Sequence, residues 1–263
     1  MKLKVLTDNN TYIDEYYLGE PALSYYLEED GRKILFDTGY SDVFMINAKK
    51  MGIDLGAIDY LVLSHGHNDH TGGLRYLKDR DLGKVRLLAH EDVFIERSHE
   101  GLEVGTPVKR EELKVKEYIS GKDPYWISDK LCFLGEIKRV TDFENKPVGT
   151  RYDGKPDYLY DDSALAYKGK DGLFIITACS HSGICNIIET AKKVCGDERI
   201  RGVIGGFHLL ENNEQLKKTV EFLKKENIKD LYPCHCVNLY AKHCLYEAGE
   251  IKEVGVGLEL NIE

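Results

Sequence analysis

Short apolar stretches of strand length recur along this chain, separated by turn residues and by longer stretches with helical spacing. In the first hundred residues, Leu3–Leu6, Ala22–Leu27, Lys33–Phe36, Tyr60–Ser64 and Val85–Ala89 read as strands. Glu29-Asp30-Gly31 supplies a hairpin turn between the second and third of these. Asp42–Met51 reads as a helix, with Ser41 as N-cap and Gly52 just past its end. Thr71-Gly72-Gly73-Leu74 looks like the start of another. In the last hundred residues, Ala164–Lys168 and Leu173–Ala178 form a strand pair around Gly169-Lys170-Asp171-Gly172. Helix Cys185–Val194, strand Arg201–Gly205, amphipathic helix Asn213–Glu226, strand Asp230–Pro233 and helix Leu239–Ala248 follow. Strands followed by helices in both halves predict an α/β layered fold.

Residues 99–160 are less periodic and richer in Gly, Pro, Tyr and charge. Pro107–Tyr118 reads as a surface helix and Leu131–Val140 as a strand pair. The region as a whole reads as loops and excursions over a site, because long irregular segments in compact domains carry function or motion. No linker-like composition flanks it, so one domain is expected over 1–263. A chain of 263 residues, 42% hydrophobic, can bury the core of a single α/β domain.

The net charge of −9 comes from interspersed acidic and basic residues, which argues against a general nucleic-acid or membrane surface. Met1-Lys2-Leu3-Lys4 meets charge too soon for a signal peptide, and no apolar run reaches membrane-span length. The seven cysteines are odd in number and scattered, as expected for reduced thiols in a cytoplasmic protein. Gly205-Gly206 and Gly255-Val256-Gly257 lack the context of a nucleotide-binding loop.

The chemistry concentrates in His65-Gly66-His67-Asn68-Asp69-His70, directly after the Tyr60–Ser64 strand. Residues at i and i+2 of an extended segment point the same way, so His65 and His67 can face one point. Asp69 and His70 follow where the chain turns and can face a second point nearby. Imidazole suits zinc, iron and manganese, and a carboxylate adds charge and a hard oxygen. His181, His208 and His235 each lie just after an apolar strand. Ligands in α/β sheets gather at the carboxyl ends of strands, so these three are expected to converge with the first cluster. His90 also follows a strand but has no second ligand-type pattern around it, and His99 and His243 read as a loop residue and a helix-surface residue.

The H-x-H-x-D-H signature, preceded by Leu35-Phe36-Asp37-Thr38-Gly39, resembles the metallo-β-lactamase superfamily. Leu63–Leu74, Phe133–Ile137, Asp161–Leu165, Cys179–Gly183, Gly205–Leu209 and Pro233–Cys236 are similar to one branch of it. That branch is named for the dihydropterin-methyl-ribofuranosylaminobenzene-phosphate synthase of methanopterin biosynthesis. The resemblance implies a four-layer αβ/βα sandwich with two divalent transition metal ions at one edge of the sheets, zinc first, with iron or manganese as alternatives. It implies that one metal takes His65, His67 and a third histidine, for which His181 is available, and that the other takes Asp69, His70 and a late histidine. The aspartate that usually bridges the two is missing from Thr177-Ala178-Cys179-Ser180-His181, leaving Cys179, Asp162 or no bridge. By analogy with superfamily ribonucleases, His235 is the late ligand and His208 an acid or phosphate contact.

The function so implied is hydrolysis by a metal-activated water that Asp69 orients and deprotonates. The expected substrate is a phosphodiester, cyclic phosphate or related ester of a pterin-like or nucleotide-like small molecule, on whose ring aromatics such as Trp126 could stack. The alternatives are a non-hydrolytic member of the fold with a di-iron redox site and a metal-binding regulatory protein.

Overall fold

In a computed structural model describing residues 1–263, the apolar runs become strands of two large sheets. The first third contains β1 (Lys2–Thr7), β2 (Ser24–Glu29), β3 (Arg32–Phe36), α1 (Val43–Lys50), β4 (Tyr60–Val62), the single-turn helices α2 (Asn68–Thr71) and α3 (Leu74–Leu77), and β5 (Arg86–Ala89). The middle contributes β6 (Arg97–His99), β7 (Leu102–Glu103), β8 (Glu117–Ser120), β9 (Tyr125–Trp126), β10 (Leu131–Phe133) and β11 (Thr150–Arg151). The last third holds β12 (Leu165–Gly169), β13 (Gly172–Ile176), α4 (Ile184–Cys195), β14 (Ile200–Gly205), α5 (Glu214–Glu226), β15 (Asp230–Pro233), α6 (Leu239–Leu245) and β16 (Glu259–Asn261).

One sheet runs β16-β1-β2-β3-β4-β5-β8 and the other β15-β14-β13-β12-β10-β9. Each is parallel where strands alternate with helices (β3-β4-β5-β8 and β13-β14-β15) and antiparallel where hairpins connect them. Side-chain alternation sorts residues between layers. Ile34, Phe36, Tyr60, Val62 and Leu88 join Leu165, Tyr167, Phe174, Ile176 and Ile204 in one apolar cluster between the sheets. Their neighbours Leu35, Leu61, Leu63 and Leu87 pack outward with Phe44 and Ala48 of α1. Ala166, Ile175 and Val203 pack outward with Ile187 of α4 and Leu223 of α5. Helices, sheet, sheet, helices is the four-layer αβ/βα order, and burial on both faces explains why these strands are apolar without clean alternation. No helix is long and apolar enough to cross a membrane.

Two elements differ from the sequence expectation. Pro107–Tyr118 is not a helix: after a 3₁₀ turn at Arg110–Glu112 the chain enters β8, where Tyr118 and Ile119 align with Leu87 and Leu88. Pairing with an open sheet edge overrides local helix preference. Leu131–Val140 is not a strand pair, because Gly135 (φ 73°) turns the chain away and Leu131–Phe133 pair instead with β9 and β12. Residues 99–160 therefore supply edge strands to both sheets, and β11, with β6 and β7, forms a small third sheet.

Candidate metal centre

The carboxyl ends of β3, β4, β13, β14 and β15 deliver the chain to one edge of the sandwich, and each is followed within five residues by a site side chain: Asp37, His65, His181, His208 and His235. Between His65 and His67 the chain passes through a space only glycine can occupy. A Cβ on Gly66 would fall 2.0 Å from Arg97 Nη1 and 2.2 Å from the Val93 carbonyl oxygen. The Gly66 N–H donates to Asp161 Oδ2 (2.8 Å), and Arg97 spans Asp161 and Asp157 at 2.6 Å each. This buried clamp holds the two imidazoles side by side, with ring centroids 4.9 Å apart. His181 arrives from the β13–α4 loop, and its ring lies 4.8 Å from each of the other two. One donor atom from each of His65, His67 and His181 fits within 4.8 Å.

The second expected point is also assembled. Asp69 and His70 lie on the α2 turn and meet Cys179 and His235, again with donor atoms within 4.8 Å. His70 Nε2 is 3.1 Å from Cys179 Sγ, and Asp69 Oδ2 is 3.6 Å from His70 Nε2 and 3.3 Å from His235 Nε2. The two groups adjoin, with the His65 and His70 rings 4.4 Å apart.

Ring orientation is set from behind. Asp37 Oδ2 accepts the His70 Nδ1–H (2.8 Å) and the Ser64 hydroxyl (2.7 Å). With its proton directed at Asp37, the Ser64 oxygen accepts His65 Nδ1–H at 2.9 Å. His235 Nδ1–H donates to Asn9 Oδ1 (2.9 Å), an oxygen that can only accept. Each of these rings therefore turns its Nε2 edge toward the site, the edge through which an imidazole so held binds metal. Asp37, Ser180, His208 and His235 have φ of 58°, 56°, 48° and 50°, a left-handed conformation costly for non-glycine residues and concentrated at functional sites.

The electrostatics favour a cation. Buried nitrogens His65 Nε2, His181 Nδ1, His181 Nε2 and His235 Nε2 have no hydrogen-bond partner. A bare His235 Nε2 lone pair 3.3 Å from a carboxylate oxygen is repulsive without positive charge between them. Burial drives His65 and His181 well below the usual histidine range and His67 down to about 3, so these three are neutral. Against its own burial, Asp69 is held well below the carboxylate range, chiefly by the charge of His70. His70, despite burial, is raised to about 9 by Asp69 and Asp37. A neutral three-imidazole group beside a second group, in which an ionised Asp69 faces a His70 proton where a metal would sit, is a donor set suited to zinc, iron or manganese.

His208 is separate from both groups. It forms a third one with Cys179 and Cys236, its N–H donating to Cys236 Sγ (3.3 Å) and its ring 4.4 Å from that of His181. With His181, Ser180, Lys146, Asn213 and Gln215 it lines a cleft of about 170 Å³. Of the two side chains considered for a bridge, Cys179 is within the Asp69 group. Asp162 points one oxygen at Ser182 (2.5 Å) and leaves Oδ1 unpartnered, 3.9 Å from His65 Nδ1. His90 stays outside the cluster: its Nδ1 accepts the Asp92 N–H and its Nε2 lies 3.6 Å from Glu136. His99 and His243 are exposed on β6 and α6. Sequence reasoning assigned no role to Asp37, Asn9, Arg97 or Cys236. Asp37, inside the Leu35–Gly39 segment, and Cys236, inside Pro233–Cys236, lay in motifs that could have flagged them; Asn9 and Arg97 did not.

Residues 18–235 match the family model described as the metallo-beta-lactamase superfamily. The chain is 31% identical to the uncharacterized protein MJ0448 of Methanocaldococcus jannaschii, over 91% of each chain. It is 29% identical to the 7,8-dihydropterin-6-methyl-4-(beta-D-ribofuranosyl)-aminobenzene-5'-phosphate synthase of the same organism, over 96% of this chain and 92% of that one. Among solved structures it superposes on Tm1679, described as a metal-dependent hydrolase of the beta-lactamase superfamily, with a TM-score of 0.84 and 29% identity over 99% of this chain and 98% of that one.

Proposed function

We propose that this chain, which belongs to the metallo-β-lactamase superfamily, is a metal-dependent hydrolase of a phosphodiester, cyclic phosphate or related ester carried by a pterin-like or nucleotide-like small molecule. The observation that carries this reading is the pair of adjoining donor groups with unpartnered imidazole nitrogens turned inward. His65, His67 and His181 hold one metal, and Asp69, His70 and His235 hold the second with Cys179 beside them. Bound there, two divalent transition ions, zinc foremost, supply a water acidified to a pKa of about 7 and polarise the ester.

The protein's own groups do the rest. Asp69, anionic and the most exposed of the donors at 31%, orients the nucleophile and takes its proton. His208, at the wall of the cleft, donates to the leaving oxygen or contacts the phosphate. Burial lowers the His208 pKa, but Cys236, Asp162 and Asp69 together outweigh it and raise it, which favours the protonated donor. Lys146 adds positive charge to the same cleft. The substrate class is supported by the relative whose name carries both a pterin and a 5'-phosphate. The setting proposed is the cytoplasm, with a small-molecule substrate and no nucleic-acid or membrane partner.

Elemental analysis of the purified protein, followed by a screen of bis(p-nitrophenyl) phosphate, cyclic nucleotides, pterin phosphates and a chromogenic lactam, tests it. Turnover of a phosphate ester, lost with a chelator and restored by zinc, is expected. Folded, metal-loaded protein that cleaves no phosphate ester would overturn it.

A further inference from the structure

Cys236 holds no metal in the proposed chemistry, yet its sulfur is placed against Cys179, the cysteine beside the second metal position. Its Sγ, Cys179 Sγ and a ring nitrogen of His208 all lie within 4.8 Å of one another. Three contacts hold it there. The His208 N–H donates to its sulfur at 3.3 Å, its own S–H reaches the Cys179 carbonyl oxygen at 3.5 Å, and its carbonyl accepts the Leu209 N–H at 3.1 Å. The Gly206 turn admits this approach, since a Cβ there would fall 2.4 Å from Cys236 Sγ. Cys179 is buried and Cys236 half-buried, so Cys236 is the more accessible residue of the pair, while the Cys179 sulfur faces His70 Nε2. The remaining cysteines include four that are buried, at 132, 185, 195 and 234.

We propose that Cys179 and Cys236 are a thiol pair that closes reversibly to a disulfide, and that closure withdraws a sulfur from the Asp69–His70–His235 metal position. The consequence for metal rests on the proposed function; the disulfide itself does not. The oxidant is a low-molecular-weight disulfide. The Cys236 sulfur attacks one of its sulfurs, breaking that S–S bond and expelling the first thiol. The Cys179 sulfur then attacks Cys236 in the mixed disulfide and expels the second. Two protein thiols become one disulfide, one oxidant disulfide becomes two thiols, and the two protons leave on them. A disulfide needs its sulfurs at about 2.05 Å, and in the proposed closure the Cys179 sulfur swings toward Cys236 and away from His70 Nε2, which it meets at 3.1 Å.

The test uses the full-length, metal-loaded protein and glutathione disulfide. Free thiols, counted after denaturation, are expected to fall by two from seven. Peptides mapped without reductant are expected to join Cys179 to Cys236, and dithiothreitol to reverse both changes. A chromogenic chelator is expected to register metal release in step with the cross-link. Cys236→Ser is expected to keep its metal under the same treatment. An unchanged thiol count, glutathione adducts without the cross-link, or a cross-link that leaves all metal in place would overturn the proposal. If the protein binds no metal before treatment, the proposed function fails, while the peptide map still decides whether the pair forms.

Discussion

Asp37 Oδ2 accepts the His70 Nδ1–H at 2.8 Å and, at the same oxygen, the hydroxyl of the serine that orients His65. One buried carboxylate thus sets the rings of both donor groups, from a left-handed backbone position at the end of β3. Asp37→Asn keeps the shape, but Oδ1 also accepts the Ser64 N–H at 2.8 Å, so the amide nitrogen at either position sets a donor against a donor. Metal affinity is expected to drop about 10- to 100-fold, the usual effect of losing a ligand's orienting partner. Competition with a fluorescent chelator measures it; unchanged affinity would contradict the role assigned to Asp37.

His235 and His208 separate by the same logic. His235 Nε2 lies 3.3 Å from Asp69, whereas His208 faces the thiols and the cleft. His235→Ala is expected to lose about tenfold or more in metal affinity. His208→Ala is expected to retain its metal and lose turnover by about 10²–10⁴. Metal titration alongside rate measurement decides between them, and a His208 variant that loses metal while the His235 variant keeps it reverses the assignment.

His67→Ala removes one of the three imidazoles whose donor atoms fit within 4.8 Å. Less metal should co-purify with it while its circular dichroism stays that of the parent. Equal metal content in a folded variant would show that this group is not a ligand set.

Metal-free protein is expected to weaken toward acid. His65 and His181 titrate well below the usual value and His67 at about 3 in the folded state, because they are buried. The unfolded chain takes up protons at these positions near pH 6.5 and the folded chain does not. Stability therefore falls as pH drops below about 6.5, by up to about 1.4 kcal/mol per pH unit for each histidine. His70 has the opposite sign: raised to about 9, it adds stability that is complete below about 6.5 and lost as pH rises through 9. Urea midpoints of chelator-treated protein should be lower at pH about 5.5 than at about 7.5; equal midpoints would show that these rings are not buried neutral.

Gly66→Ala places a methyl 2.0 Å from Arg97 Nη1 and 2.2 Å from a backbone oxygen. Backbone cannot yield as a flexible side chain does, so a loss of about 1–3 kcal/mol is expected. Metal affinity should fall with it as His65 and His67 move apart. Thermal denaturation and metal titration of the same variant read both effects.

Much of this molecule could be read along the chain because it depends on near neighbours. Strand-length apolar runs ending in histidine identified β4, β13, β14 and β15 and placed His65, His181, His208 and His235 at their carboxyl ends. The i, i+2 spacing of His65 and His67, and the turn that carries Asp69 and His70, follow from backbone geometry within six residues. Tertiary pairing decided the rest. Whether 107–118 became helix or strand depended on the free edge beside β5, which that segment cannot sense locally. Asp37 reaches His70 across 33 positions, Asp161 reaches Gly66 across 95, and Asn9 reaches His235 across 226. Cys236 meets Cys179 only because β13, β14 and β15 lie side by side in parallel. Such contacts have no period and no local signature: they exist because burial of both sheet faces brings the strand ends to a common edge, and only the folded chain has that edge.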